Sequence, residues 1–113
     1  MLGAIAGDMI GSPYEGSPIK HKDFESVVSA FTDDTVLTVA VAHAIMNQTG
    51  YADAIKSFAR KYHDLPYGGS FRQWMWTRDN QPYNSFGNGS AMRVSAVGFA
   101  FDTFDVDFHL ARF

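Results

Sequence analysis

The chain has 113 residues, of which 46% are hydrophobic and 19% charged, with a formal net charge of −3 and no cysteine. This composition predicts one small globular domain or a piece of a larger one, and it excludes disulfides and thiolate metal sites. The scattered Lys and Arg residues offer no basic patch for nucleic acid or an anionic membrane, and the missing cysteines fit a cytoplasmic location.

Residues 2–10, LGAIAGDMI, predict a buried first helix that ends near Gly11. They lack a basic leader and contain Asp8, so they are not typical of a signal peptide. An unpaired carboxylate among apolar side chains is costly, so we expect Asp8 to be hydrogen-bonded, paired or close to a cation. The following stretch, GSPYEGSPIKH, predicts a loop. Its Glu15 is either an ordinary exposed glutamate or a carboxylate that the loop brings close to a ligand.

A second helix is predicted over residues 33–47, with Thr32 as its cap. It is apolar on nearly every face, so we expect it at the centre of the protein, yet it is too short and too polar to span a membrane. Asp33 and Asp34 in its first turn allow two interpretations. They either meet the positive end of the helix dipole, or they hold a cation.

The next helix is predicted over residues 51–64, with apolar side chains on one face and Lys56, Arg60 and Lys61 facing solvent. After the turn LPYGGS, a short amphipathic piece follows around Trp74. Aromatic residues near the loops are expected in the core, although one or two could hold an adenine; they are Tyr67, Phe71, Trp74, Trp76, Tyr83 and Phe86.

A second polar loop, NQPYNSFGNGS, precedes a nearly all-apolar helix that opens at Asn88 or Ser90 and continues to about Phe101. The glycines around Asn88 can present several backbone N–H groups to a phosphate, although Gly and Asn are also ordinary turn residues. Arg93 lies one turn into the helix, where it would meet a phosphate or a structural carboxylate.

These patterns predict an all-α fold, since no strand alternation is sustained. Two helices that are apolar on all faces must be packed against other segments on both sides. The remaining segments of this chain are too few and too short to bury them. We therefore expect the chain to be the first part of a larger helical domain, or to be completed by another subunit. Exposed apolar helices would in that case allow self-association.

The acids Asp8, Glu15, Asp33 and Asp34 could share a pocket only with a counter-charge. Oxygen ligands without cysteine favour Mg²⁺ or Mn²⁺, with Ca²⁺ as an alternative. The histidines are weak candidates for metal ligands, because His43 is expected in the core and no two histidines have the spacing of a zinc site.

Three segments, GAIAGDMIGSPYE, FTDDTVLTVAVAHAI and YNSFGNGSAMRVSAVG, occur in an order that resembles the amino-terminal half of the ADP-ribosylglycohydrolase family. The resemblance runs from Leu2 to about Asp102. It implies an all-α orthogonal bundle with a two-metal centre of Mg²⁺ or Mn²⁺. Such an enzyme removes ADP-ribose from protein side chains or related conjugates, so its partners would be ADP-ribose or ADP-ribosylated proteins.

The resemblance also implies roles for individual residues. Thr32, Asp33 and Asp34 match metal ligands, and Glu15 matches a loop acid that contacts the metal and assists catalysis together with the aspartates. Asp8 matches the acid of a glycine–aspartate motif at the substrate site. The remaining matches fall in a loop that contacts bound ADP-ribose, namely Gly87, Asn88, Gly89 and Ser90.

One family feature is missing from the chain. The second Asp-x-Asp-Thr cluster that completes the metal centre is absent, and FDTFDVDFH, residues 101–109, is interpreted as a polar link to a further helix. We therefore expect the chain to be inactive alone, since two-metal chemistry needs both ligand sets. The alternatives are activity completed by a partner chain, a non-catalytic ADP-ribose-binding module, and a truncated structural remnant.

Overall fold

A computed structural model describes residues 1–16, 18 and 29–101. These residues form helices joined by loops and contain no strand, which confirms the all-α prediction. The α-helices are α1 (Leu2–Gly11), α2 (Asp33–Asn47), α3 (Tyr51–Lys61), α4 (Gly69–Trp74), α5 (Gly89–Arg93) and α6 (Ser95–Ala100). A 3-10 turn, Ser12–Tyr14, follows α1. No helix in this part of the chain is long and apolar enough to cross a membrane.

Helix α2 lies at the centre, as its apolar sequence predicts, and packs against α1, α3, α5 and α6. Its side chains Leu37 and Val41 are fully buried and belong to a core that α3, α4 and α6 complete. The prediction for His43 was wrong, because this side chain is exposed on α2.

Helix α3 is amphipathic, as predicted, but it ends at Lys61 rather than at residue 64. Its apolar face, with Ile55 at the centre, packs against α2. The prediction that Lys56 faces solvent was wrong, since Lys56 is only 3% exposed. The reason is that the chain after α4 turns back over α3 and presents oxygen atoms to the Lys56 ammonium group.

The prediction of a buried α1 was also wrong. None of its residues is buried, and Leu2 is 83% exposed. Within the described ranges α1 packs mainly on the beginning of α2 and on the 3-10 turn, so its apolar side chains have few neighbours. Its composition resembles that of a core helix, but composition does not supply a packing partner.

The predicted last helix is divided into α5 and α6, with a break at Val94. Helix α5 is fixed against α2 by Thr38, whose buried hydroxyl lies 2.7 Å from the Asp34 carbonyl oxygen and 3.2 Å from the Met92 carbonyl oxygen. This contact places the glycine-rich loop before α5 close to the acidic end of α2. The interpretation of residues 102–109 as a link lies outside the described residues.

Candidate functional site

The acidic end of α2 is held by a carboxylate from α1. Asp8 Oδ2 accepts hydrogen bonds from the backbone N–H groups of Thr32 and Thr35, at 2.8 and 3.2 Å. The hydroxyl groups of Thr32 and Thr35 also donate to Asp8, each at 2.6 Å. Burial raises the pKa of Asp8, but these hydrogen bonds outweigh burial and hold the pKa below its ordinary value. This confirms that Asp8 is hydrogen-bonded, while its contact with substrate stays a prediction.

Thr32 links the same carboxylate to the helix that follows. Its side-chain oxygen accepts a hydrogen bond from the Asp34 N–H at 3.2 Å, so the predicted cap is confirmed. The hydroxyl hydrogen of Thr32 points to Asp8, which leaves a lone pair on the oxygen after both bonds are made. Thr32 is therefore both a cap and a chemically suitable oxygen ligand.

The three remaining acids line one cavity of about 430 Å³. Asp33 is half-buried in the first turn of α2, Asp34 follows it, and Glu15 extends from the end of the 3-10 turn. Burial raises the pKa of Asp33, and the negative charges of Glu15 and Asp8 raise it further. Burial and the charge of Asp33 likewise raise the pKa of Asp34. The site thus concentrates negative charge that a cation would relieve.

The glycine-rich loop lines the same cavity. All four residues that the resemblance assigns to ADP-ribose line it, together with Ser85 and Asn84; the four are Gly87, Asn88, Gly89 and Ser90. The N–H of Gly87 already donates to the Ser85 hydroxyl at 3.0 Å. Helix α5 has only five residues, so its dipole gives little help with an anion. Phosphate binding here would depend on loop amides.

Arg93 also lines the cavity, and the sequence did not distinguish its role. It is 2% exposed, and its Nε donates to the Gly89 carbonyl oxygen at 2.7 Å. Its charge lowers the pKa of both Asp33 and Asp34, in opposition to their burial. Arg93 therefore acts on these carboxylates through its charge, and a contact between Arg93 and a phosphate stays a prediction.

The predicted core position is confirmed for Tyr67, Phe71 and Trp74, and it was wrong for Trp76 and Phe86. Tyr67, Phe71 and Trp74 are buried and stack in sequence, with centroid distances of 5.1 and 5.7 Å. Trp76 and Phe86 are exposed, the latter completely. Phe71 and the half-buried Tyr83 reach the cavity wall. Burial, followed by the charge of Asp33, raises the pKa of Tyr67 to about 12, so this phenol stays protonated.

The chemical type of the donor atoms suits a hard divalent cation. Thr32 supplies a hydroxyl oxygen, and Glu15, Asp33 and Asp34 supply carboxylates, which are ligands that Mg²⁺ and Mn²⁺ prefer. Among residues 1–16, 18 and 29–101, however, no group of three or more acids or histidines has the spacing to hold a metal ion. The side chains that line the cavity would have to move closer to each other to bind one.

Comparison with known proteins assigns the chain to a family. The family model described as ADP-ribosylglycohydrolase matches residues 1–112, essentially the whole chain. No solved structure matches it closely enough to count as similar. The match agrees with the all-α fold and includes the acids and the glycine-rich loop around the cavity. The chain belongs to the ADP-ribosylglycohydrolase family.

Proposed function

We propose that this chain forms the amino-terminal half of a site that hydrolyses the bond between ADP-ribose and a modified protein side chain or a related conjugate. Family membership supports an activity of this type. The observation that carries the proposal is a single cavity that is lined both by Glu15, Asp33 and Asp34 and by the loop at residues 87–90. Carboxylates suit the ribose end of the ligand, and backbone amides suit its diphosphate.

Thr32, Asp33, Asp34 and Glu15 would hold Mg²⁺ or Mn²⁺ in this proposal. A bound divalent cation would bind the ribose hydroxyl groups and lower the pKa of a bound water molecule. The carboxylate of Glu15 would accept a proton from the water that attacks the anomeric carbon. The bond to the side chain breaks through an oxocarbenium-like state, its electron pair stays on the leaving side chain, and that group takes up a proton from solvent. Asp33 and Asp34 assist by fixing the ribose relative to that water.

The loop at residues 87–90 positions the diphosphate and takes no part in bond breaking. Asp8 keeps the first turn of α2 in place through its four hydrogen bonds, and its contact with the substrate is a further prediction from the resemblance. A cytoplasmic location and self-association through apolar helices such as α1 also stay predictions.

The sequence offers one cluster of candidate ligands, Thr32, Asp33, Asp34 and Glu15, and a two-metal centre needs more. We therefore propose that the chain alone binds ADP-ribose and a cation but turns over substrate only when a second set of carboxylates is supplied. The same observation favours a second candidate function, a non-catalytic ADP-ribose-binding module.

The test is calorimetric titration of the chain with ADP-ribose, with Mn²⁺ or with EDTA, alongside an assay for ADP-ribose released from an ADP-ribosylated arginine peptide. We expect binding that Mn²⁺ strengthens, and loss of the Mn²⁺ effect in Asp33→Asn/Asp34→Asn. Asp64→Asn, which changes a carboxylate on a 93% exposed side chain, is the control. Binding without release agrees with both the proposed half-site and the module. Release by the chain alone contradicts the need for a second set of carboxylates, and no binding under either condition contradicts both functions.

A further inference from the structure

We propose that Arg93 is a positioning residue that sets the backbone of the glycine-rich loop for its ligand. The inference rests on the proposed function, because the ligand of the loop is the diphosphate of ADP-ribose. Arg93 also lines the cavity, but its side chain is only 2% exposed and its Nε is already bonded to the loop.

Arg93 is hydrogen-bonded to the backbone of the glycine-rich loop at Gly89. Arg93 Nε donates to the Gly89 carbonyl oxygen at 2.7 Å, a charge-assisted bond that fixes the orientation of this peptide group. Gly89 lines the cavity next to Asn88 and Ser90. When one peptide plane is fixed, the direction of the neighbouring N–H groups is restricted as well. Arg93 thus controls the atoms that would meet a phosphate.

Arg93 also occupies the space that a side chain at position 89 would need. A Cβ atom added at Gly89 would lie 2.8 Å from Arg93 Nη2 and 3.6 Å from Met92 Cε. The first distance is too short for a carbon atom, so a larger residue would displace the guanidinium group. The glycine therefore admits Arg93 against the loop, and the two residues form one unit.

The burial of the Arg93 side chain has a cost in stability. Its guanidinium carbon lies 5.9 Å from the centroid of the Phe71 ring, within the buried aromatic stack that includes Tyr67. Its Nη1 is buried and has no hydrogen-bond partner among the described residues, although Tyr83 interacts with the same guanidinium group. A buried donor without a partner destabilises a fold, so an apolar side chain of similar size would serve packing better. Positioning of the loop explains why an arginine is present instead.

The experiment compares Arg93→Met, Arg93→Lys and Gly89→Ala by NMR of the Gly87 and residue-89 backbone amides and by calorimetry with ADP-ribose. We expect all three variants to shift the loop amides and to weaken ADP-ribose binding by about tenfold or more, the effect of one lost charged hydrogen bond. Lysine does not rescue, because it lacks the Nε donor in the guanidinium plane. The free energy of unfolding of Arg93→Met should stay close to that of the wild type.

Arg72→Met is the matched control, because Arg72 also donates to backbone carbonyl oxygens, those of His63 and Leu65, in a different loop. It should leave the amides of the glycine-rich loop and the ADP-ribose affinity unchanged. The double variant Gly89→Ala/Arg93→Lys tests whether the two residues act as one unit, and it should be no weaker than the worse single variant.

The inference is overturned if the loop amides keep their wild-type shifts in the Arg93 variants, or if the effects of Gly89→Ala and Arg93→Lys add. If wild-type protein does not bind ADP-ribose, the proposed function fails, but the amide shifts still decide whether Arg93 sets the loop. If Arg93→Met does not fold, Arg93→Lys and Gly89→Ala supply the same comparison.

Discussion

The carboxylate of Asp8 joins two segments that lie 24 residues apart and completes the amino-terminal end of α2 from another helix. Two effects oppose each other at this residue. Burial favours the neutral acid, whereas four hydrogen bonds favour the carboxylate, and the lowered pKa shows that the hydrogen bonds prevail. Asp8 therefore stabilises the end of α2 that carries Thr32, Asp33 and Asp34.

Replacing this carboxylate tests its role directly. In Asp8→Asn, the amide group turns a donor toward the donors of Thr32 and Thr35, so we expect the free energy of unfolding to fall by about 1–3 kcal/mol. Urea denaturation in EDTA measures this loss. Asp64→Asn is again the matched control, because its side chain is 93% exposed and should give a change below about 0.5 kcal/mol. Equal midpoints for the two variants would contradict the assignment.

The pH dependence of the same variants gives a second measurement. Because the pKa of Asp8 lies below its ordinary value of 3.8 in the folded chain, its stabilising contribution is complete above that value. The contribution is lost as pH falls through the lower, folded pKa. We therefore expect the stability difference between wild type and Asp8→Asn to be largest near neutral pH and to shrink below about pH 4. A difference that grows on acidification would contradict this sign.

At the level of elements, α1 and α2 show what an apolar pattern can predict. Both sequences indicate a helix, and both helices are present with nearly the expected bounds. Only α2 is buried, because burial depends on the segments that pack around a helix, and these are far apart in sequence. The cap at Thr32 was predictable because it is local, whereas the partner of that cap, Asp8, was not.

For Lys56 too, a local sequence pattern predicted the helix but not the burial of the side chain. Its position in α3 suggested a solvent-facing side chain, but its ammonium group donates to the carbonyl oxygens of Thr77 and Asp79 and to the Thr77 hydroxyl. It also lies 4.3 Å from the centroid of a Trp74 ring. Burial, followed by the charge of Arg60, lowers the pKa of Lys56. The hydrogen bonds and the aromatic ring hold the segment after α4 against α3.

Lys56→Met should therefore release this segment. We expect the free energy of unfolding to fall by about 1–2 kcal/mol, since three donated bonds are lost while Arg60 still bonds to the Met75 and Thr77 carbonyl oxygens. Hydrogen exchange should accelerate at residues 75–81 more than elsewhere. Lys61→Met, at an exposed position of the same helix, should change neither quantity. Uniform acceleration across the chain in Lys56→Met would contradict a local role.

At the scale of the whole molecule, the sequence predicted groups that gather around one cavity but not their spacing, and their roles in a site stay predictions. Glu15, Asp33, Asp34 and the glycine-rich loop were recognisable from charge, loop chemistry and family resemblance, and they do line one cavity, whereas Asp8 does not. The buried Arg93 between them was not assigned, although its spacing from Gly89, one helical turn, was the available signal. How close Glu15 comes to Asp33 depends on the packing of α1 on α2, which no local pattern encodes.

The central claim is that Glu15, Asp33 and Asp34 converge on a divalent cation. Anomalous diffraction from crystals soaked in Mn²⁺ tests it most directly. The account predicts a peak in the cavity at about 2–2.3 Å from oxygen atoms of Asp33, Asp34 and Thr32, with the Glu15 carboxylate turned toward it. Full data without a peak between these side chains, and with Glu15 directed away from α2, would contradict it.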